Sequence, residues 1–140
     1  MNLVTTRMGM FPSRPEAWRK ARAFIETFCQ DAGLAKDSTL KANLVVEELF
    51  LNTVKHGHRG GSDAPVWITL ESRDGAMSLT YEDRAPPFNP FASKTREMLE
   101  ALAETRREGG LGVILAHGLT ASADYAYLYG RNRIKLTLRG

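Results

Sequence analysis

The dipeptide Asp74-Gly75 constrains the fold more than any other feature of the chain. It stands between two runs of alternating polarity, 66–73 and 76–82. Asp-Gly suits a two-residue turn with positive φ at both residues, and such a turn folds its flanking strands together antiparallel. The sequence therefore predicts a hairpin here. A second strand pair is expected at 121–129 and 133–139, around Gly130-Arg131-Asn132, and a weaker strand at 2–10. Isolated hairpins are marginal in water, so these strands need a further layer to cover one face.

Two helices supply that layer. Phe11-Pro12-Ser13-Arg14-Pro15 reads as a helix start, with Ser13 as N-cap and Pro15 in the first turn. Trp18, Ala21, Ile25 and Phe28 follow as its apolar stripe, and Gly33 ends it. A second helix is expected from Asp37-Ser38 to just before Gly57. Leu40, Leu44, Val45, Val46, Leu49, Phe50, Leu51 and Val54 make it apolar nearly all round, which predicts a central and largely buried helix. Residues 83–90 (Asp-Arg-Ala-Pro-Pro-Phe-Asn-Pro) are excluded from helix and central strand by their prolines. Residues 93–107 are charged and helix-prone, with few apolar positions. Gly109-Gly110-Leu111-Gly112 then leads into a short apolar helix, 113–119. The order β-α-α-β-β-loop-α-β-β predicts an α+β two-layer sandwich, a mixed or antiparallel sheet with helices packed on one face.

The 140-residue length suits a single domain, 1–140, large enough to bury a core without staples. The one cysteine, Cys29, excludes an internal disulfide framework and suits a reducing compartment. No apolar run is long enough to span a membrane, and no basic flank followed by an apolar run marks a signal peptide. A cytoplasmic location is expected. Residues 1–90 carry 11 basic and 11 acidic side chains, and 91–140 carry eight and five, so the whole net charge of +3 comes from the second part. That is too weak for a nucleic-acid footprint. It suits a local site for an anionic small molecule, or simply a solvated surface.

The chemistry concentrates on the second helix. Glu48, Asn52 and His56 follow one another at four-residue spacing, about 40° apart at each step around the helix. A carboxylate and an amide on such an apolar helix need a pocket with water, a cation or a polar partner. An Asn carbonyl with water suits Mg²⁺, which commonly shares phosphate oxygens with its substrate. A carboxylate one turn away suits a general base. The plain alternative is a helix whose polar side chains cap neighbouring backbone. Gly109, Gly110 and Gly112 would let backbone approach phosphates at a helix start, as would any glycine hinge. Asp83 at a strand end is placed either to accept a hydrogen bond from an exocyclic amine or to cap a turn.

In order along the chain, these features resemble the GHKL (Bergerat-fold) ATP-binding superfamily, and within it the anti-sigma-factor serine/threonine kinases of the HATPase_c_2 type. The N box of that group, Glu-x-x-x-Asn-x-x-x-His-Gly, stands here as Glu48 to Gly57. Its Asp-x-Gly-x-Pro-Phe-(Asp/Asn)-Pro box stands as Asp83 to Pro90, and its Gly-Gly-Leu-Gly box as Gly109 to Gly112. A Gly-x-Asn-Arg hairpin matches Gly130 to Arg133. The resemblance implies ATP and Mg²⁺ as ligands, with Glu48 as general base and Asn52 as metal ligand. Asp83 would bind the adenine amine, with Ala85 and Phe88 beside it. Gly109, Gly110, Leu111 and Gly112 would pack against phosphates, and residues 91–108 would be a lid on which Arg106 and Arg107 either reach phosphate oxygens or form a solvated face. His56 would support the N box. The implied activity is phosphorylation of an anti-sigma-factor antagonist with a STAS-like fold, together with binding of a sigma factor. A homodimer, with no direct contact to nucleic acid or membrane, is expected from the resemblance alone.

One departure stands out. Ala85 occupies the position where the family usually has Gly. If that position requires positive φ, its Cβ costs about 1–2 kcal/mol; otherwise it narrows the pocket. This keeps open an alternative, a non-catalytic or nucleotide-weakened anti-sigma switch module. A catalytic domain related to histidine kinases is a third reading, opposed by the serine-kinase style of the N box.

Overall fold

A computed structural model describes residues 4–57, 60–90 and 119–138, the side chains of residues 56 and 57 excepted. Strand β1 (Val4–Pro12) comes first. A 3-10 turn (Pro15–Ala17) follows, then helices α1 (Trp18–Asp31) and α2 (Lys36–Asn52) and a π turn (Thr53–Gly57). The strands β2 (Pro65–Arg73), β3 (Ala76–Asp83), β4 (Thr120–Leu128) and β5 (Arg131–Leu138) complete the element order of the described residues. They form one five-stranded sheet in the order β1-β2-β3-β5-β4. Every neighbouring pair is antiparallel, which resolves the mixed-or-antiparallel expectation. The expected lid at 91–108, Arg106, Arg107, the glycine box at 109–112 and nearly all of the helix expected at 113–119 lie outside the described residues.

Both hairpins close through two-residue turns with positive φ at each residue. Asp74 and Gly75 lie at 52° and 82°, and Tyr129 and Gly130 at 53° and 75°. The first is the turn that the Asp-Gly pair demands. The second is set one to two residues earlier than the sequence suggests, so Asn132 is a strand residue paired with Asp83, not part of the turn. The expected Gly33 stop for α1 is also observed. Gly33 takes φ 68°, its N–H donates to the Gln30 carbonyl at 3.1 Å, and the Leu34 N–H donates to the Cys29 carbonyl at 2.9 Å. That is the Schellman pattern, which only a residue at ease in the left-handed region completes without strain.

Alternation along the strands sets the two faces of the sheet. Val66, Ile68 and Leu70 of β2, Leu79 and Tyr81 of β3, and Ile134, Leu136 and Leu138 of β5 all point to one side. There they pack on Ala21, Ile25 and Phe28 of α1 and Val45, Val46, Leu49 and Phe50 of α2. On the opposite face, Trp67 is kept from water by guanidinium groups. Arg131 lies 3.5 Å and Arg84 5.4 Å from its ring centroid, and Arg131 is held by Glu82 at 2.9 Å. A cation over an aromatic face covers apolar area while keeping its own charge solvated.

Two local expectations are corrected. Ser13 is not a helix cap; its backbone N–H and its hydroxyl both donate to the Ala64 carbonyl, at 2.9 and 2.8 Å, fastening the loop before β2 to the end of β1. Helix α2 is not buried all round, since Leu40 and Leu44 are 57% and 45% exposed. Among the described residues, no helix is long and apolar enough to cross a membrane.

Candidate functional site

The C-terminal end of α2 and the end of β3 meet at a cavity of about 260 Å³. Leu49, Asn52 and Thr53 line it from the helix side, Tyr81, Asp83, Asn132 and Ile134 from the sheet, and 85–88 with Pro90 from the proline-rich loop. Residues distant in the sequence reach it for simple reasons. Tyr81 and Asp83 are two apart on β3 and face the helices, and Thr53 begins the π turn that ends α2. The prolines carry the chain off β3 and along the cavity wall.

Of the residues singled out from the sequence, Asn52, Asp83, Ala85 and Phe88 line this one cavity. Asn52 is half-buried and Phe88 is 56% exposed. Glu48 is half-buried one turn earlier on α2 and is not among the lining residues. His56 falls on the π turn, where the wider i→i+5 repeat ends the four-residue stagger expected from Glu48 through Asn52. Gly109, Gly110, Leu111, Gly112 and Arg106 lie outside the described residues.

Asp83 is 7% exposed and fully engaged on one oxygen. Its Oδ1 accepts from the Ala85 N–H at 3.1 Å and from the Asn132 amide at 2.9 Å. Its Oδ2 accepts from the Thr53 hydroxyl at 2.7 Å. The Thr53 oxygen also lies 2.6 Å from the Tyr81 hydroxyl and 3.0 Å from the Leu49 carbonyl. A hydroxyl has a single proton. If Thr53 gives its proton to the carboxylate, Tyr81 donates to Thr53, and the chain Tyr81→Thr53→Asp83 delivers hydrogen bonds toward the charge. Burial pushes the Tyr81 phenol well above its usual value near 10, so it stays a protonated donor. Burial raises Tyr125 as well.

Thr53, Tyr81 and Asn132 escaped the sequence reading as site residues. Thr53 carried a usable signal, a hydroxyl directly after Asn52 on an apolar helix. Tyr81 looks like any strand aromatic. Asn132 stands in the Gly-x-Asn-Arg hairpin motif, but its place beside a turn, where Asn is commonplace, gives it no site role in the sequence. Ala85 is 6% exposed and is not among the described non-glycine residues with positive φ, which are Asp74 and Tyr129. Its Cβ therefore causes no backbone strain and acts only on the shape of the cavity.

Residues 11–138 match the family model described as the histidine kinase-like ATPase domain, HATPase_c_2. No curated protein sequence matches the chain. Among solved structures, the RsbU and RsbW domains of Rv1364c from Mycobacterium tuberculosis have a similar fold, with a TM-score of 0.64 at 18% identity. The similarity covers 96% of this chain and 32% of that one, so the chain spans about a third of that molecule's length. With its antiparallel sheet, helices α1 and α2 on one face and a match over 11–138, the chain belongs to the histidine kinase-like ATPase family, the GHKL group.

Proposed function

We propose that this chain is an ATP–Mg²⁺-dependent serine/threonine protein kinase of the anti-sigma-factor type. The supporting observation is the convergence of Asn52 and Asp83, from the N box and the Asp-Pro-Phe box, on one cavity. Nothing but the fold requires two such distant motifs to meet. At about 260 Å³ the cavity lies just below the ~300–1,000 Å³ usual for small-molecule sites, which suits a base-sized group. Asp83 offers a hydrogen-bonded carboxylate with one acceptor position of Oδ2 left, a fit for an exocyclic amine. Asn52 would hold Mg²⁺ through its side-chain carbonyl. Phosphate and water oxygens would complete its coordination, as is usual for Mg²⁺.

ATP, when bound, supplies the phosphoryl group. The protein's part is to position and to move one proton. Glu48, a turn before Asn52, would take the proton of a serine or threonine hydroxyl on the partner, as a base does in phosphoryl transfer. Gly109, Gly110, Leu111 and Gly112 would hold phosphates, under a lid spanning 91–108 that carries Arg106, all within one domain, 1–140. The partners would be a STAS-like anti-sigma-factor antagonist as substrate and a sigma factor as ligand, in the cytoplasm. A second copy would complete a homodimer. The free edge that β1 forms in the described sheet, with Met8 and Met10 66% and 65% exposed, supports that assembly.

A second reading, a switch module with a weakened nucleotide site, draws support from the Ala85 side chain in the cavity wall. Transfer of labelled phosphate from ATP to a STAS-type antagonist from the same organism separates the two. Glu48→Ala should abolish transfer and leave most of the ATP affinity. Transfer at the normal rate by that variant would remove Glu48 as the base.

A further inference from the structure

We propose that Asn132 is a positioning residue for base recognition. It holds the Asp83 carboxylate and the 85–88 backbone in the one arrangement that presents an acceptor to an exocyclic amine. The proposal rests on reading the cavity as a nucleotide-base site.

Asn132 sits on β5, 5% exposed, directly opposite Asp83 on β3. Its Nδ2 donates toward Asp83 Oδ1 at 2.9 Å, the Ala85 carbonyl at 3.0 Å and the Pro86 carbonyl at 3.1 Å. Its Oδ1 accepts from the Phe88 N–H at 3.0 Å and from the Tyr125 hydroxyl at 2.5 Å. Three acceptors surround the nitrogen and two donors the oxygen, so the amide has one sensible orientation. A single side chain thus fastens the carboxylate, three residues of the proline-rich loop and a tyrosine of β4.

The consequence for Asp83 follows from counting acceptor sites. A carboxylate oxygen accepts about two hydrogen bonds in its plane. Oδ1 is filled by Ala85 and Asn132, and Oδ2 holds Thr53, which leaves one place on Oδ2 among the described residues. Asn132 keeps the carboxylate from turning about its Cβ–Cγ bond and spending that place elsewhere. It also sets the loop that carries Ala85 and Phe88 along the cavity wall. Leu and Asp, of similar size, do not perform the task. Leu lacks the hydrogen bonds, and Asp would lose both donors and bring a second negative charge 2.9 Å from Asp83.

The test compares two ligands by calorimetric titration of the full chain with Mg²⁺: ATP, and purine ribonucleoside triphosphate, which lacks the amine. The wild-type protein should prefer ATP by about tenfold or more, the usual worth of a hydrogen bond to a charged group. Asn132→Ala should lose much more affinity for ATP than for the amine-free analogue, so that its preference for ATP falls below about threefold. A role limited to folding would weaken both ligands alike. Tyr125→Phe removes one donor to Asn132 and should lower the same ratio by a smaller factor; it decides the matter if Asn132→Ala does not fold. A wild-type protein that does not distinguish the ligands overturns the base-site reading. A wild-type preference that survives in the variants overturns the role of Asn132 and leaves that reading intact.

Discussion

The Thr53 hydroxyl donates to Oδ2 of Asp83 at 2.7 Å, tying the end of α2 to the end of β3 within the cavity wall. Both residues are buried, and the hydroxyl is the partner that the structure gives Oδ2 among the described residues. Thr53→Val keeps the shape and removes the donor. It should cost about 1–3 kcal/mol of stability, read by urea unfolding, because a buried carboxylate oxygen loses its partner. Thr53→Ser should stay close to wild type. Equal losses in the two variants would assign the effect to packing instead of the hydroxyl.

Tyr129 occupies the first position of the β4–β5 turn at φ 53° and is fully exposed. A bulky side chain in the left-handed region is strained, and this one gains no burial in return. Tyr129→Asn creates the Asn-Gly pair that such turns favour. It should stabilise the protein by about 1 kcal/mol, seen as a higher denaturation midpoint with an unchanged slope. A lower midpoint would mean that Tyr129 makes contacts that compensate for its backbone.

Alkaline pH should destabilise the chain. Burial holds the Tyr81 phenol protonated well above 10, whereas in the unfolded chain it ionises near 10. Below that pH both states carry the proton and stability is unaffected. Above it the unfolded state binds fewer protons, so stability falls as pH rises. Burial raises Cys29 and Tyr125 too, and both act with the same sign. Urea unfolding between pH 8 and 11 (roughly the span of these groups) should show the decline, and Tyr81→Phe should make it shallower. Identical slopes would remove Tyr81 from this account.

The Ala85 side chain acts on the cavity through the space its Cβ fills, as the backbone lies outside the positive-φ region. Ala85→Gly should widen the cavity and tighten ATP by at least about threefold, at a cost of ~0.5–1 kcal/mol in stability. An unchanged affinity would mean that this methyl group does not meet the base.

Local rules carried most of the fold. Asp74-Gly75, Gly33 and the alternation of Val66, Ile68 and Leu70 each have one comfortable backbone solution, and the structure adopts it. Asn52 and Asp83 were legible because a polar group beside an apolar helix or at a strand end needs an explanation. The misreadings have long-range causes. Ser13 has the chemistry of a cap, yet Ala64 claims its hydroxyl. Tyr129 accepts a backbone angle that sequence preference would deny it, and so moves the turn and brings Asn132 into line with Asp83. The π turn after Asn52 leaves no trace in hydrophobic periodicity, because Thr53 and Val54 are buried on either pattern.

The central claim is that the cavity between α2 and β3 receives the base of ATP, with Mg²⁺ at Asn52. Calorimetric titration of the full chain with ATP and Mg²⁺ tests it most directly. The account predicts saturable binding at one site per chain, weaker without Mg²⁺ and largely lost in Asp83→Asn. Absence of both heat and thermal shift at millimolar nucleotide, or full binding by Asp83→Asn, would contradict it.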